Sequence, residues 1–390
     1  MKIHANILAE VPNCWTNIFQ KGTKDQLAIH EVLKSKKQWG SKDRKMFGDI
    51  MYELIRHFRA FALIGNTAEV PSLADPQLLV QGFLTFKNSD LTFEEFCLTN
   101  LPNATFAQKA SIPDWVDMMG REDSGNTSWE EDVLGQSSEA PVCLRISGSV
   151  VQYKTALNHL LKLDPGLEAV SDSSVILSKR IDLSNDVGYS SGWYEIQDLG
   201  SQEISQIINP GMNEVIWDVC AGAGGKTLHL ADLMKGKGKI IAMDVNESKL
   251  KSLVYRLKKS RFTNIEVKLN KANEPWNTDG IPNPTKIVID APCSGSGTWR
   301  RNPDSRWKTD QNTVEGLLDI QYKLLQMGIR NLSPQASLYY ITCSILPKEN
   351  QFQIRRIKEE FSNINLVNEV KIHPKNGGSD GFYLAELKQS

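Results

Sequence analysis

The stretch NEVIWDVCAGAGGKTLHLADLMKGKGKIIAMDV, residues 213–245, decides the fold. An apolar run ends in Asp218, a glycine-rich loop and an amphipathic segment follow, and a second apolar run ends in Asp244. This order predicts a strand, a loop, a helix and a second strand. In open sheets built from such units, ligands bind outside the carboxyl ends of the strands. We therefore predict a ligand site at the glycine loop.

The same alternation continues to the end of the chain. Further strands are predicted in NIEVKL, TKIVIDAP, SLYYITCSI and GFYLAELK, and further helices in ESKLKSLVYRLKKS, in NTVEGLLDIQYKLLQMGIRNL and from Pro347 onward. Continuous apolar strands between amphipathic helices are typical of a parallel, doubly wound α/β sheet. Residues 201–390 are expected to form such a domain.

Three segments with different patterns precede this domain. Residues 1–110 place apolar residues at helical spacing, which predicts a helical amino-terminal domain. Residues 111–140 are rich in acidic residues, serine and glycine, which predicts an exposed linker or long loop. Residues 141–200 contain two strand-like runs around a helical one, which predicts a small α+β module.

The composition excludes several classes of protein. Hydrophobic residues make up 40% of the chain, and no run approaches the ~18 apolar residues that a membrane span needs. No signal peptide is recognisable, so a cytoplasmic protein is expected, and it is expected to act as a monomer. The six cysteines are Cys14, Cys97, Cys143, Cys220, Cys293 and Cys343. Their wide spacing and the few scattered histidines predict neither a metal site nor a disulfide framework.

The net charge of −1 hides an uneven distribution of charge. Residues 111–140 carry eight acidic residues and one arginine, so the rest of the chain is net basic. Basic residues cluster in 249–262, 300–308 and 355–358. Such clusters are often only solvated helix faces, but clusters that line one face favour an anionic partner.

Three interpretations of the glycine loop DVCAGAGGKT compete. A phosphate-binding Walker A loop needs glycine where Cys220 stands, and a dinucleotide fingerprint needs glycine where Thr227 stands. A third possibility is a loop whose backbone approaches a nucleoside without a pyrophosphate, with Asp244 binding the ribose hydroxyls. An adenosine of that kind points to S-adenosyl-methionine. A tight turn without any ligand is the remaining alternative.

Two cysteines follow strands that should end on the ligand side of the sheet. Cys293 lies in the loop DAPCSGSGTW, and Cys343 ends SLYYITC shortly before the helix expected at Pro347, whose dipole favours a thiolate. Methyl transfer to cytosine C5 would use them. A thiolate that adds to C6 makes C5 nucleophilic, hydrogen bonding at N3 by a carboxyl such as Asp290 helps the addition, and a second thiol can act in release. The chemistry alone leaves open which cysteine has which role.

These motifs together resemble those of the Nop/Sun-type RNA cytosine-5 methyltransferases, the family that includes the RsmB type. DVCAGAGGKT, DAPCSGSGTWRRNPDSRW, TCSILPKEN and DGFYLAELK follow one another in the family's order, and PVCLRIS resembles the start of its small RNA-recognition-like module. The resemblance covers residues 141–390. It implies that residues 201–390 form a Rossmann-like class I methyltransferase domain that uses S-adenosyl-methionine. DNA cytosine methyltransferases rely on a single Pro-Cys cysteine, so the additional Thr-Cys-Ser motif implies RNA.

The resemblance also implies roles for individual residues. Cys343 would be the nucleophile, Cys293 would assist release, and Asp290 and Lys226 would hold the cytosine edge. The implied cofactor contacts are Cys220, Ala221, Gly222, Ala223, Gly224, Gly225, Lys226, Asp244, Asn270 and Asp290, with Asn270 in place of the carboxylate that often contacts the adenosine. The implied RNA contacts are Arg300, Arg301 and Arg306.

The expected function is methylation of ribosomal RNA at cytosine C5. The same chemistry on transfer RNA is the first alternative, and a ribosome-assembly factor that keeps the fold without the activity is the second. The Cys293–Cys343 pair argues against the second alternative, because a protein that only binds RNA needs neither thiol. An amino-group methyltransferase would use an Asp/Asn-Pro-Pro-aromatic motif, which Asp-Ala-Pro-Cys does not match.

Overall fold

Helices dominate the amino-terminal part of the computed structural model, which describes residues 3–124, 126–272 and 274–390. The helices are α1 (Ala5–Leu8), α2 (Val11–Phe19), α3 (Asp25–Ser35), α4 (Ser41–Arg56), α5 (Phe58–Ile64), α6 (Pro76–Lys87), α7 (Phe93–Asn100), α8 (Phe106–Lys109), α9 (Asp114–Ser124) and α10 (Asn126–Leu134). The helical character predicted for residues 1–110 is confirmed. These helices belong to a compact unit of residues 1–138 and 298–313.

Aromatic side chains fill the core of this helical unit. Trp15, Phe47, Phe58 and Phe61 are fully buried. Trp307, from the segment 298–313, packs edge-on against Phe58 with ring centroids 5.1 Å apart. Segment 298–313 is therefore part of the hydrophobic core of the helical unit.

The acidic segment 111–140 differs from the predicted linker, because α9 and α10 occupy most of it. Val116 and Trp129 are fully buried. Trp129 donates a hydrogen bond to Asp117 at 2.7 Å, and Arg121 pairs with Asp117 at 3.0 Å. The acidic residues thus lie on helices whose apolar residues pack inward, a pattern that the serine and glycine content conceals. Gly125, within this segment, lies outside the described residues.

The small module contains the α+β elements that the sequence predicts. They are β1 (Val142–Ile146), α11 (Tyr153–Leu163), β2 (Glu168–Ala169), β3 (Ser174–Leu177), α12 (Val187–Ser190) and β4 (Tyr194–Ile196). The strands form an antiparallel sheet in the order β2-β3-β1-β4. Arg145 of β1, which is 1% exposed, pairs with Asp232 at 2.9 Å. This ion pair joins the module to the helix that follows the glycine loop, with which the module shares a second compact unit of residues 139–297 and 314–390.

A seven-stranded sheet forms the rest of this second unit. Its elements are α13 (Leu199–Ile208), β5 (Val215–Asp218), α14 (Gly225–Leu233), β6 (Lys239–Asp244), α15 (Glu247–Ser260), β7 (Ile265–Leu269), β8 (Lys286–Asp290), α16 (Ser305–Lys308, in segment 298–313), α17 (Gln311–Arg330), β9 (Ser337–Thr342), α18 (Gln351–Glu360), β10 (Ile364–Ile372) and β11 (Phe382–Gln389). The strand order is β10-β11-β9-β8-β5-β6-β7. Strands β5 to β9 are parallel, and β11 and β10 extend the sheet antiparallel.

Helices cover both faces of this sheet, which explains the continuous apolar strands. On one face, Ile216 and Val288 belong to the same buried cluster as residues of α13 and α14. On the other face, Trp217 and Ile287 are clustered with residues of α17 and α18. The predicted doubly wound fold is confirmed. Strand β10 was not predicted, because most of its side chains are exposed or half-buried and its apolar pattern is weak.

The basic segment 298–313 was expected to belong to the domain of residues 201–390. It belongs instead to the helical unit. Arg300 and Arg306 are each 2% exposed. The Arg306 guanidinium donates to the carbonyl oxygens of Arg56 at 3.2 Å and Ser111 at 2.9 Å. Burial, together with the charge of Arg56, lowers the pKa of Arg306 to about 9. This burial contradicts the expected phosphate contacts of Arg300 and Arg306, because neither side chain is exposed to a ligand. Arg301 is half-buried, and its RNA contact remains a prediction.

We predict that Arg306→Ala destabilises the helical unit. The substitution leaves two buried carbonyl groups without their donor, and we expect the free energy of unfolding to fall by about 2–4 kcal/mol. Urea denaturation followed by circular dichroism measures the change. Lys42→Ala, at an exposed position of α4, is the control and should change stability by less than about 0.5 kcal/mol. Unchanged stability with lost RNA affinity would restore the RNA-binding role.

Candidate active site

The glycine loop connects β5 to α14 at the carboxyl edge of the sheet. Gly222 and Gly224 have positive φ angles of 56° and 87°. A Cβ atom at Gly224 would lie 2.2 Å from Cδ1 of Leu253, so the loop packs too closely against α15 for any side chain there. The amide of Ala221 donates to the carbonyl of Met243 at 2.9 Å. The loop is therefore held against the end of β6.

Asp244, at the tip of β6, fixes the same loop. Its carboxylate accepts from the amide of Gly222 at 2.8 Å and from the amide of Asn246 at 2.7 Å. Each carboxylate oxygen can accept more than one hydrogen bond, so Asp244 can also accept from the hydroxyl groups of a ligand.

Asn270, one strand further along the sheet, has an unused amide. Its backbone N–H donates to the carbonyl of Asp244 at 2.9 Å. Its side chain is 6% exposed, and neither Oδ1 nor Nδ2 has a hydrogen-bond partner. A buried amide without partners costs free energy, so this one fits a ligand whose edge offers both a donor and an acceptor. Together, Asn270, Asp244 and the glycine loop fit an adenosine group.

Lys226 and Asp290 form an ion pair beside this loop, with 2.8 Å between Nζ and Oδ2. Lys226 is 8% exposed. Burial disfavours its charged form, but the charges of Asp290, Cys343 and Asp218 outweigh burial and raise the pKa of Lys226. Lys226 is therefore an ammonium at neutral pH, with Cys343 close enough to affect it.

The two cysteines of the Pro-Cys-Ser and Thr-Cys-Ser motifs meet. Cys293 follows β8, Cys343 follows β9, and their Sγ atoms are 3.3 Å apart. Parallel pairing of the two strands, with Asp290 opposite Ile341, brings the loops together. The helix expected at Pro347 begins instead at Gln351, after a short 3-10 turn at Pro347–Glu349. The two thiols therefore lie in one site.

The electrostatic environment of Cys293 disfavours its thiolate form. The hydrogen bond with Cys343, burial, and the charges of Cys343 and Glu349 together raise the pKa of Cys293 well above its usual value. Cys293 therefore remains a thiol at neutral pH.

Sequence analysis missed three buried polar residues that support this site. Asp218 accepts a hydrogen bond from the Thr227 hydroxyl at 2.6 Å, and burial raises the pKa of Asp218 to about 7. Glu349 is fully buried and accepts hydrogen bonds beside both cysteines. The motif TCSILPKEN already contained Glu349, but only the fold shows that its side chain turns inward.

The described residues offer neither a cluster of metal ligands nor a membrane-spanning helix. In ranges 3–124, 126–272 and 274–390, three or more His, Cys, Asp or Glu side chains nowhere gather in a way that could hold a metal ion. Over the same ranges, none of the helices combines the length and the apolar character needed to cross a bilayer.

The parallel-dominated sheet, the glycine loop and the carboxylate at the tip of β6 define a Rossmann-like methyltransferase fold. A crystal structure of PH0851 has the same fold, with a TM-score of 0.77 and 19% identity over 100% of both chains. NSun6 from Pyrococcus horikoshii, solved with the S-adenosyl-methionine analogue SFG, covers 71% of this chain and 98% of its own, with a TM-score of 0.62 and 16% identity.

The sequence comparisons identify the family. The family model described as 16S rRNA methyltransferase RsmB/F matches residues 205–388. Ribosomal RNA small subunit methyltransferase B of Shewanella oneidensis is 30% identical over 342 residues, which are 84% of this chain and 77% of that protein. The chain belongs to the RsmB/F family of 16S rRNA methyltransferases. The family resemblance predicted from the sequence is confirmed.

We predict that Cys343→Ala lowers the pKa of Cys293. The substitution removes the sulfur whose hydrogen bond and charge raise that pKa, whereas burial and Glu349 remain. The pH at which iodoacetamide alkylates Cys293 at half its maximal rate should therefore fall, as measured by mass spectrometry across a pH series. Cys143→Ala, at a buried cysteine of β1, serves as the control and should leave the profile unchanged. A midpoint that stays or rises would contradict the coupling.

Proposed function

We propose that this chain is an S-adenosyl-methionine-dependent RNA cytosine-5 methyltransferase that acts on 16S ribosomal RNA. One observation carries the proposal: two thiols with sulfurs 3.3 Å apart lie at strand ends beside an ion pair of a buried ammonium and a half-buried carboxylate. A protein that only bound RNA would need none of these groups. The names of the family and of the relatives support 16S ribosomal RNA as the substrate.

The glycine loop, Asp244 and Asn270 would hold the cofactor. In this proposal the backbone from Cys220 to Gly225 approaches the adenosine and methionine groups, Asp244 accepts from the ribose hydroxyls, and the unpaired amide of Asn270 binds the adenine edge. Bound there, S-adenosyl-methionine supplies a methyl group attached to a positively charged sulfur.

Cys343 is the proposed nucleophile. Its thiolate forms a bond to C6 of the cytosine, and the electron pair of the C5–C6 double bond becomes available at C5, which then gains the methyl group. Lys226 donates a hydrogen bond to the acceptor edge of the base at N3 or O2, and Asp290 accepts from the exocyclic amine. The pair at 2.8 Å thus offers the donor and the acceptor that a cytosine edge requires.

Cys293 is the proposed base in the release step. Once Cys343 is bonded to C6, its sulfur is a weaker hydrogen-bond acceptor and carries no thiolate charge, so two of the causes that raise the pKa of Cys293 weaken. Cys293 can then lose its proton, and as a thiolate it accepts the C5 proton. The electrons of the C5–H bond restore the C5–C6 double bond, the bond from C6 to sulfur breaks, and Cys343 leaves as a thiolate.

The RNA must present the target base outside its stack, because C6 is not accessible to a thiolate in a stacked helix. The small module, residues 141–200, and Arg301 are the proposed RNA-binding elements that remain after Arg300 and Arg306 are removed from that role. The N-terminal helical unit is proposed to contribute to RNA docking.

The proposed enzyme acts in the cytoplasm, as a monomer and without a metal. Free thiols at Cys293 and Cys343 require a reducing compartment, which supports the cytoplasm. All residues assigned to catalysis come from one compact unit of a single chain, which supports a monomer. The proposed steps use thiol, ammonium and carboxylate groups and call for no metal.

We predict that Asp244→Ala weakens cofactor binding. The substitution removes the proposed ribose acceptor and the carboxylate that holds the amide of Gly222, so affinity should fall by about 1–3 kcal/mol, or roughly 10–100-fold. Isothermal titration calorimetry with S-adenosyl-methionine measures the change. Asp319→Ala, at an exposed position of α17, is the matched control. Equal affinity in both variants would place the ribose elsewhere.

We predict opposite outcomes for the two cysteine variants. Cys343→Ala should reduce methyl transfer more than about 10³-fold and leave cofactor affinity intact, because only the nucleophile is lost. Cys293→Ala should accumulate a covalent protein–RNA adduct, visible as a slow band on a denaturing gel. If the covalent adduct accumulates in Cys343→Ala instead, Cys293 is the nucleophile and Cys343 acts in release.

The same assay tests the substrate. Tritiated S-adenosyl-methionine is offered with 16S ribosomal RNA and, separately, with transfer RNA, and bisulfite sequencing locates the methylated cytosine. Cys143→Ala is the control and should retain activity. Labelling of transfer RNA alone would replace 16S ribosomal RNA as the substrate, and labelling of neither by an intact protein would count against the proposed function.

A further inference from the structure

Glu349 is a buried carboxylate to which the proposed reaction assigns no step. It is 0% exposed. Its Oε1 accepts from the amide of Ser294 at 2.8 Å and from Nε2 of Gln321 at 3.0 Å. Its Oε2 accepts from the hydroxyls of Ser294 and Ser344, each at 2.5 Å. Within the described part of the chain no lysine, arginine or histidine pairs with it, so hydrogen bonds alone offset the cost of burying its charge.

The two serine hydroxyls beside Oε2 both donate to the carboxylate. The Ser344 hydroxyl oxygen accepts from the amide of Leu346 at 3.0 Å and lies 2.8 Å from the Ser296 hydroxyl oxygen. Its own proton is directed to Oε2 of Glu349. At Oε1 both partners are N–H groups. An amide at position 349 would direct its NH₂ against these two N–H donors in one orientation, and in the other it would need the serine hydroxyls to turn round and accept.

The hydrogen bonds of Glu349 reach the residue next to each cysteine. Ser294 follows Cys293 and Ser344 follows Cys343, and the same carboxylate binds both. A second tie connects the two loops, because the amide of Gly297 donates to the carbonyl of Cys343 at 2.9 Å. On each loop, the cysteine therefore directly precedes a serine whose hydroxyl donates to Glu349.

We propose that Glu349 is the positioning residue of the active site: it holds the loops after β8 and β9 together, and so keeps the sulfur atoms of Cys293 and Cys343 at their working separation. The inference deepens the proposed function and rests on it for its catalytic meaning. The geometric part, that one carboxylate sets the distance between two thiols, stands on the hydrogen bonds alone.

The charge of Glu349 has a second effect. It is among the causes that raise the pKa of Cys293, after the hydrogen bond with Cys343 and burial. The other titratable groups near the two cysteines are Lys226, Asp290 and Tyr340, whose hydroxyl donates to the backbone carbonyl of Glu349 at 2.7 Å. Loss of the carboxylate charge should therefore lower the pKa of Cys293, a change that a residue with a purely structural role would not produce.

The test compares Glu349→Gln with the wild-type protein and with Glu359→Gln, an exposed glutamate of α18 that is the matched control. Diamide oxidises the two thiols to a disulfide and is itself reduced to the hydrazine, taking up the two electrons and two protons. The rate of this Cys293–Cys343 disulfide formation, followed by mass spectrometry, reports the separation of the sulfurs. In Glu349→Gln we expect the Cys293–Cys343 disulfide to form at least about 10-fold more slowly than in the wild-type protein. We also expect kcat to fall about 10²-fold, with the KM for S-adenosyl-methionine unchanged.

Two further readouts make the outcome decisive. Iodoacetamide alkylation of Cys293 should shift to lower pH in Glu349→Gln and stay in place in Glu359→Gln. Glu349→Asp keeps the charge but is one methylene shorter, so its thiols should still oxidise slowly, and its alkylation midpoint should fall less than that of Glu349→Gln. If Glu349→Gln fails to fold, the rate of disulfide formation in Glu349→Asp tests the proposal. Wild-type rates of disulfide formation in the folded variants would overturn the proposal.

The same measurements separate this inference from the proposed function. If the wild-type protein methylates no RNA but its disulfide rate still depends on Glu349, the proposed function fails and the positioning role stands. If the wild-type protein methylates RNA and Glu349→Gln does so at an equal rate, the positioning role fails and the proposed function stands.

Discussion

The parallel pairing of β8 with β9 is the constraint on which the site depends. It places the ends of two strands side by side, and so brings together two cysteines that are 50 positions apart in the chain. Neighbouring strands in a sheet lie ~4.8 Å apart, which is close to the separation that two interacting sulfurs need once the loops converge. The glycine loop and Asp244 occupy the adjacent strand ends at the same edge, so cofactor residues and thiols share one surface.

Burial sets the chemistry of this edge. Lys226 and Asp218 are buried and Cys293 is half-buried, and burial and charged neighbours together shift their pKa values. Asp290 and Cys343 favour the charged form of Lys226, while Cys343 and Glu349 favour the neutral form of Cys293. In the proposed mechanism, Cys293 stays a thiol until Cys343 has reacted, because Cys343 and Glu349 both hold its pKa up.

Segment 298–313 shows what local sequence patterns cannot predict. Its arginines suggest a nucleic-acid contact, because a basic cluster that lines one face favours an anionic partner. Arg306 instead satisfies carbonyl groups inside the helical unit, and Trp307 fills a place in the aromatic core. The acidic segment 111–140 is a similar case, since its charged residues lie on helices whose apolar side is buried.

The sequence by itself determined the doubly wound sheet, the glycine loop, the carboxylate at the tip of β6 and the two cysteines, because each of these is a local pattern: apolar periodicity, turn residues or a short motif. Tertiary structure alone decided what those residues meet. Neither the 3.3 Å separation of the sulfurs nor the inward turn of Glu349 follows from spacing along the chain. The burial of Arg300 and Arg306 also depends on helices that begin hundreds of residues earlier. Hydrogen-bond partners and burial are set by distance in space, which sequence patterns encode only when the partners are near in the chain.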